Sequence, residues 1–319
     1  MRVRPYTAED EERWDRLCKQ SVAASFLHHR RFLAHHGDRF IDRSLVLVDG
    51  DRWLGVLPAA LSPSDPRLVE SHPGLTYGGF VHDGALRGER AIEALQLVIE
   101  HYSNLGFERL RYKPLPHIYH RSPAQDDLYA LFRAGAQRTR CNLASCIDLA
   151  HSLGLNERRR RGLAKANKAG LHYDSGIKYA PALWLVLEQN LLDKYGSSPT
   201  HNVDQILDLA QRFPENINFE VAMDGADVVA GCVVFVVGAV RHLQYIASSE
   251  PGQAQSALDG LFNALIQRSR TEGARYFDFG TSNEEHGRVL IESLYRFKSE
   301  FGGGGVAYEC YELDLAIRS

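Results

Sequence analysis

Two stretches of the chain carry the same order of apolar and polar positions. In the first, Val46-Leu47-Val48 meets Asp49-Gly50, then Gly55 and a further apolar run. In the second, Val221-Ala222-Met223 meets Asp224-Gly225, then Gly231 and a further apolar run. Asp-Gly between alternating apolar runs predicts a hairpin at both places. Downstream, apolar residues fall at helical spacing, with Ala91, Leu95, Val98 and Ile99 in one copy and Leu258, Leu261, Phe262, Leu265 and Ile266 in the other. Each predicted helix runs to a glycine, Gly106 or Gly273, and a short strand follows at once, Arg109–Tyr112 or Arg275–Asp278. Gly55 and Gly231 differ by one residue in their distance from the turn, so coincidence competes with duplication. The shared order of elements favours duplication.

Hairpin, strand, helix and strand, given twice, predict an α/β fold of two tandem domains, each a mixed sheet with helices on its faces. The break is placed near residue 151, giving domains 1–151 and 152–319, because Asp148-Leu149 closes a strand and Asn156-Glu157 opens a helix. A length of 319 residues agrees with roughly two domains.

Composition narrows the class. An apolar content of 44% with 24% charged residues is that of a soluble globular chain. The net charge of −3 means that any polyanion must be held by a local patch. No run reaches the ~18 apolar residues of a membrane span, and the opening MRVRPYTAEDEERW lacks the apolar core of a secretory signal. Cysteines at 18, 141, 146, 232 and 310 form no CxxC and read as reduced thiols, so a cytoplasmic protein is expected. The paired histidines His28-His29 and His35-His36 have no clustered acids beside them and no HExxH occurs, so no metal site is expected.

Two segments carry candidate chemistry. Asn156–Gly170 opens on a capping asparagine and closes on a glycine. Between Glu157 and Lys168 it has six positive charges against one negative. Arg158, Arg161, Lys165 and Lys168 form one stripe of that helix, either open to water or facing phosphates. The second segment runs from Arg275 to Gly302. A strand, Tyr276–Phe279, breaks at Gly280; a polar loop with Ser282 and Asn283 follows, and a helix-like stretch delivers Phe297-Lys298 ahead of Phe301. Asp278 and Lys298 can meet there in one cleft. The plainer alternative is a buried strand and a helix with a snorkelling lysine.

The order of the basic RRGLAKANKAG helix, the GARYFDFG strand and the YRFKSEFG element resembles the FemABX-type peptidoglycan-bridge aminoacyltransferases of the GNAT-like acyltransferase superfamily. The segment His72–Gly79, HPGLTYGG, also resembles members found with surface-polysaccharide genes. The resemblance implies two GNAT-like domains and an acyltransferase (EC 2.3) that moves an aminoacyl group from aminoacyl-tRNA to an amine of a cell-envelope precursor. It implies no bound cofactor, since the donor is a co-substrate. By the same resemblance Lys298 and Phe297 line the active cleft; Ser282 and Asn283 of the polar loop are further substrate-binding candidates. Arg161, Lys165 and Lys168 face phosphates, and Tyr77, Gly78 and Gly79 contribute from the first domain.

Where CoA-dependent members carry a glycine-rich pyrophosphate loop, this chain reads Ser248-Ser249-Glu250-Pro251-Gly252-Gln253-Ala254. Glu250 repels pyrophosphate and Pro251 has no N–H to offer. The reading therefore favours a tRNA-borne donor. An acyl-CoA- or carrier-dependent transferase acting on an amino sugar stays open, as does a non-catalytic protein binding RNA or a nucleotide sugar. Lys298 is expected to stabilise the oxyanion, and Asp278 to act as a base or to be structural.

Overall fold

The computed structural model describes residues 1–315, the side chains of Lys194 and Tyr195 apart. The chain begins with β1 (Arg2–Pro5), α1 (Glu11–Gln20), α2 (Arg30–Leu33), β2 (Leu45–Asp49), β3 (Arg52–Leu57), β4 (Ala60–Leu61) and β5 (Leu68–Glu70). It continues through α3 (Glu89–Asn104), β6 (Arg109–Tyr112), α4 (Asp126–Arg133), β7 (Gln137–Asp148), α5 (Glu157–Ala169), β8 (His172–Ser175), α6 (Ala180–Tyr195) and α7 (Val203–Arg212). Then come β9 (Ile217–Asp224), β10 (Asp227–Val237), β11 (Val240–Ser248), α8 (Glu250–Ala254) and α9 (Ala257–Thr271). The last elements are β12 (Tyr276–Thr281), β13 (Asn283–Glu284), β14 (Val289–Leu290), α10 (Glu292–Ser299) and β15 (Gly304–Asp314). Among the described residues no helix is long and apolar enough to cross a membrane.

These elements form two compact units. Among the described residues, one takes Met1–Asn142, Glu285–Val289 and 307–315; the other takes Leu143–Glu284 and Leu290–Val306. The division differs from a single cut at residue 151. It falls inside β7, and the end of β15 returns to the first unit because Tyr311–Asp314 pair antiparallel with β6. A ladder of that sequence separation has no local signal to announce it.

In the first unit β1, β2 and β3 form an antiparallel sheet, and β4, β5, β6 and the end of β15 lie side by side. Leu45, Leu54, Val69, Leu95, Val98 and Leu110 share a core under α3 and α4. The second unit orders its strands β7-β12-β11-β10-β9-β8. Its core gathers Phe262, Phe277, Phe279 and Phe301 with Leu261 and Leu265 of α9. Each such ring contributes roughly 2–3 kcal/mol when fully buried.

Both Asp-Gly hairpins form. Asp49 pairs with Arg52 around Gly50, and Asp224 pairs with Asp227 around Gly225. In each, one extra residue on the returning strand, Leu54 or Val229, bulges the ladder at the same distance from the turn. Gly55 then stands opposite Leu47, whereas the matching place in the second hairpin is taken by Ala230 opposite Ala222, so Gly231 lies one rung further on.

The basic segment is α5. The Asn156 side chain accepts the Arg159 N–H at 3.0 Å, and Gly170 closes the helix in the left-handed conformation. One narrow face, Arg159, Gly162 and Ala166, packs toward α9; a methyl group on Gly162 would overlap the Asp259 carboxylate, and Ala166 is fully buried. Gly162→Ala therefore sets two effects against each other. Helix propensity favours alanine by about 1 kcal/mol, while forcing a methyl into an occupied contact costs about 1–3 kcal/mol. Because the ion pair with Arg159 restrains Asp259, a net loss of stability is expected in denaturant unfolding. A gain would mean that α5 is not seated on α9.

Candidate active site

Strands β11 and β12 run parallel and are joined by the register pairs Val240–Tyr276, Arg241–Phe277 and His242–Asp278. There the ladder stops, although β11 continues to Ser248 and β12 to Thr281. The last pair is chemical as well as structural. His242 Nδ1 lies 2.8 Å from Asp278 Oδ2, and Asp278 Oδ1 accepts the Gly280 N–H at 2.9 Å. Asp278 is fully buried, and His242 is nearly so. A buried carboxylate is tolerated only with such partners. Gly280, at φ +69°, then breaks the register of β12, which pairs with β7 again at Thr281.

Lys298 arrives at the same turn from α10. Its ammonium donates to the Gly280 carbonyl at 3.3 Å and to the Thr281 carbonyl at 2.6 Å. Burial pulls its pKa down to about 8, against the opposing pull of the Asp278 charge. Cys146 is the register partner of Asp278 on β7, and burial together with that same charge holds its thiol well above the ordinary range.

The remaining residues named from sequence distribute around this point. Ser282 is buried, with its N–H on the Leu143 carbonyl at 3.1 Å and a hydroxyl that has no hydrogen-bond partner among the described residues. Asn283 accepts the Leu143 N–H at 2.6 Å. Phe297 turns its ring to the aromatic core, 5.6 Å from Phe301 and 6.3 Å from Phe262. Asp278, Lys298 and the Ser282 loop thus converge on Gly280, while the Phe297 ring faces the core.

Tyr77, Gly78 and Gly79 belong to the first unit. Tyr77 is buried against Tyr119, with ring centroids 5.1 Å apart, and near His28. The close approach permitted by the glycines is to the protein's own groups: a side chain on Gly78 would overlap the Ser71 carbonyl, and one on Gly79 would stand 2.9 Å from the Tyr112 hydroxyl. Sequence reading passed over Lys113, which is buried beside this segment. It donates to the His72 carbonyl at 2.7 Å and the Leu75 carbonyl at 2.6 Å, and burial lowers its pKa to about 8.

On α5, Arg161, Lys165 and Lys168 are exposed, as are Arg158 and Arg160. Arg159 alone turns inward. Its ion-pair partners are Asp259 at 2.9 Å and Glu300 at 3.3 Å, and its guanidinium sits 4.7 Å from the Phe297 ring centroid. Nothing in a run of four arginines marks which one is buried. His242 was equally silent: one histidine in an apolar strand is usually packing, and only its pairing with Asp278 reveals the site. At α8 the Ser249 hydroxyl accepts the Gly252 N–H at 3.2 Å, and a side chain on Gly252 would overlap the Val229 carbonyl. That turn is filled by its own chain.

The mixed α/β fold, with its short parallel ladder ending at His242–Asp278, is that of GNAT-type structures. Residues 157–288 match the model of the acetyltransferase (GNAT) domain. Over the whole chain the structure is close to that of FemX, with a TM-score of 0.70 at 11% identity, covering 98% of this chain and 97% of that one. L-PGS from Bacillus licheniformis superposes with a TM-score of 0.63 at 11% identity, covering 95% and 91%. A tandem GNAT protein from the clavulanic acid biosynthesis pathway gives 0.52 at 13% identity, covering 99% of both chains. No curated protein matches the sequence.

The depressed pKa of Lys298 has a measurable consequence. Folded, it releases its proton near pH 8; unfolded, near its ordinary value of 10.5. Between those values the unfolded chain holds more protons, so this lysine's contribution to stability rises with pH. Lys298→Met removes that rise, on the order of 3 kcal/mol across the window. Lys113 titrates similarly but is present in both proteins, so the difference between wild type and variant isolates Lys298. A difference in unfolding free energy that stays constant from pH 7.5 to 10.5 would show an ordinary lysine.

Proposed function

We propose that the protein is an N-acyltransferase of the Fem type, moving an aminoacyl group from aminoacyl-tRNA to an amine of a cell-envelope or related precursor. The observation that carries this reading is the split beyond His242 and Asp278, with a carboxylate–imidazole pair and a buried ammonium at its apex. Transfer to an amine needs a proton acceptor and a group that stabilises the oxyanion. Asp278 holds His242 through Nδ1, which assigns proton removal to Nε2. The amine nitrogen bonds to the ester carbonyl carbon; the bond to the ribose oxygen then breaks, and that oxygen takes the proton back from the imidazolium. Lys298 spends two of its three N–H groups on Gly280 and Thr281. The third is assigned to the oxyanion.

Likeness to FemX at the level of fold supports the tRNA donor, as does the exposed stripe Arg161, Lys165 and Lys168 on α5. An acyl-CoA donor is the second reading, favoured by the match to an acetyltransferase domain. The filled turn at α8, with Glu250 and Pro251, weighs against it. Transfer of labelled amino acid from charged tRNA, run beside transfer from acyl-CoA, separates them; turnover with acyl-CoA alone would remove the tRNA reading.

Two substitutions extend the test. Lys298→Met is expected to lower kcat by about 100-fold with little change in KM and no loss of the folded state by melting temperature. Unchanged turnover returns Lys298 to a purely structural clamp. Charge reversal of Arg161, Lys165 and Lys168 together is expected to weaken tRNA binding and to flatten its salt dependence by about 2 in logarithmic slope, at roughly 0.7 per phosphate contact. An unaltered slope means the stripe is simply solvated.

A further inference from the structure

The buried arginine of α5 stands at a joint. The Asn156 N–H, at the start of α5, donates to the Glu300 carbonyl at 3.0 Å, and the Leu153 N–H donates to the Gly302 carbonyl at 3.1 Å. Gly302, at φ +101°, has no room for a side chain, since a methyl group would stand 2.7 Å from the Gly154 nitrogen. The lead into α5 and the end of α10 are thus laced together by backbone.

Arg159 completes the joint with side chains. Its guanidinium bridges Asp259 of α9 and Glu300, the residue that caps α10, and lies over Phe297 and Phe301 at 4.7 and 5.5 Å. Its side chain is 11% exposed and those of Asp259 and Glu300 are 9% exposed, so neither acid can turn to bulk water for an alternative partner. Only Arg158 shares the anchor, at 3.5 Å from Glu300, and Arg158 is itself half exposed. Glu300 follows Lys298 by two residues, and Lys298 holds the two carbonyls where β12 ends. A continuous physical connection therefore runs from the exposed cations of α5, through Arg159 and α10, to the apex of the split.

We propose that Arg159 is a positioning residue that couples the seating of α5 to the placement of the Lys298 ammonium, so that a polyanion on the exposed cations of α5 is sensed at Lys298. The proposal rests on the reading that α5 takes a polyanion and that Lys298 works in the reaction. A tethered ligand pulling on Arg158 and Arg161 shifts the first turn of α5, and the planar guanidinium of Arg159 passes that shift to two acids and two rings at once. A lysine at this position keeps the charge but cannot bridge both acids and stack in the same way.

The test needs no turnover. The intact protein is treated with an acetylating N-hydroxysuccinimide ester, and acetylation of Lys298 is followed by mass spectrometry. Lys113, equally buried and held by two carbonyls in the first unit, serves as the internal reference. Arg159→Lys and Glu300→Gln are expected to raise the Lys298-to-Lys113 labelling ratio by about tenfold, whereas general destabilisation raises both lysines together. Unfractionated tRNA is expected to change the ratio in the wild type and to leave it unchanged in Arg159→Lys. A ratio that stays at the wild-type value in both folded variants overturns the coupling, and so does a tRNA response that survives Arg159→Lys. If tRNA does not bind at all, the polyanion reading and the sensing fail together. The variant ratios then still decide whether Arg159 positions Lys298.

Discussion

The candidate site of the second unit depends on a parallel ladder that ends after His242 and Asp278. Parallel strands need a long crossover between them, here through α9, and they stay together only as far as side chains on both support the pairing. Asp278 is fully buried, and its charge is matched at the last rung by the imidazole and the Gly280 N–H. The same two contacts that satisfy it also fix where β12 turns away. Lys298 then holds the Gly280 and Thr281 carbonyls in the turned position. Breaking the ladder and building the site are a single structural event.

The first unit uses the same device with different charges. Its parallel pair, β5 and β6, is also joined by three register pairs, Leu68–Arg109, Val69–Leu110 and Glu70–Arg111. The last of them also joins an acid to a basic side chain, with Arg111 at 3.3 Å from Glu70. Beyond it a buried lysine, Lys113, again binds two backbone carbonyls. The equally placed bulges in the two hairpins recur as well. The order of elements and a strand-end pairing of an acid with a basic side chain are common to both units, while the residues that supply them differ.

Helix α5 shows how a polar helix is held without a wide apolar face. Asn156 caps it and Gly170 stops it, yet only Ala166 is fully buried along its length. Its attachment comes from close backbone approach at Gly162 and from one arginine shared between two acids and two aromatic rings. Burial raises the pKa of Asp259 to about 6 in spite of the Arg159 charge, so desolvation outweighs attraction in this cluster. Such an anchor is specific in geometry more than strong in energy, which suits a helix whose other cations lie at the surface.

Local chemistry in the sequence determined the hairpins, the helices after them and the limits of α5, because Asp-Gly turns, helical spacing, a capping asparagine and a closing glycine act over a few residues. It also marked Asp278 and Lys298 as a pair worth joining, and both come to Gly280. What lay beyond reach was everything set by distant pairing. The return of β15 to β6, the rung that makes His242 the partner of Asp278, and the choice of Arg159 as the inward arginine depend on contacts between residues far apart in sequence. Phe297 and Tyr77 illustrate the same limit, since an aromatic beside a candidate lysine or glycine suits a cleft and a core equally well in sequence. The tertiary structure sets the partly buried Phe297 ring beside Phe301 and the Tyr77 ring against Tyr119. Spacing along a chain sets which way a side chain can point; what it meets there depends on the packing of the whole unit.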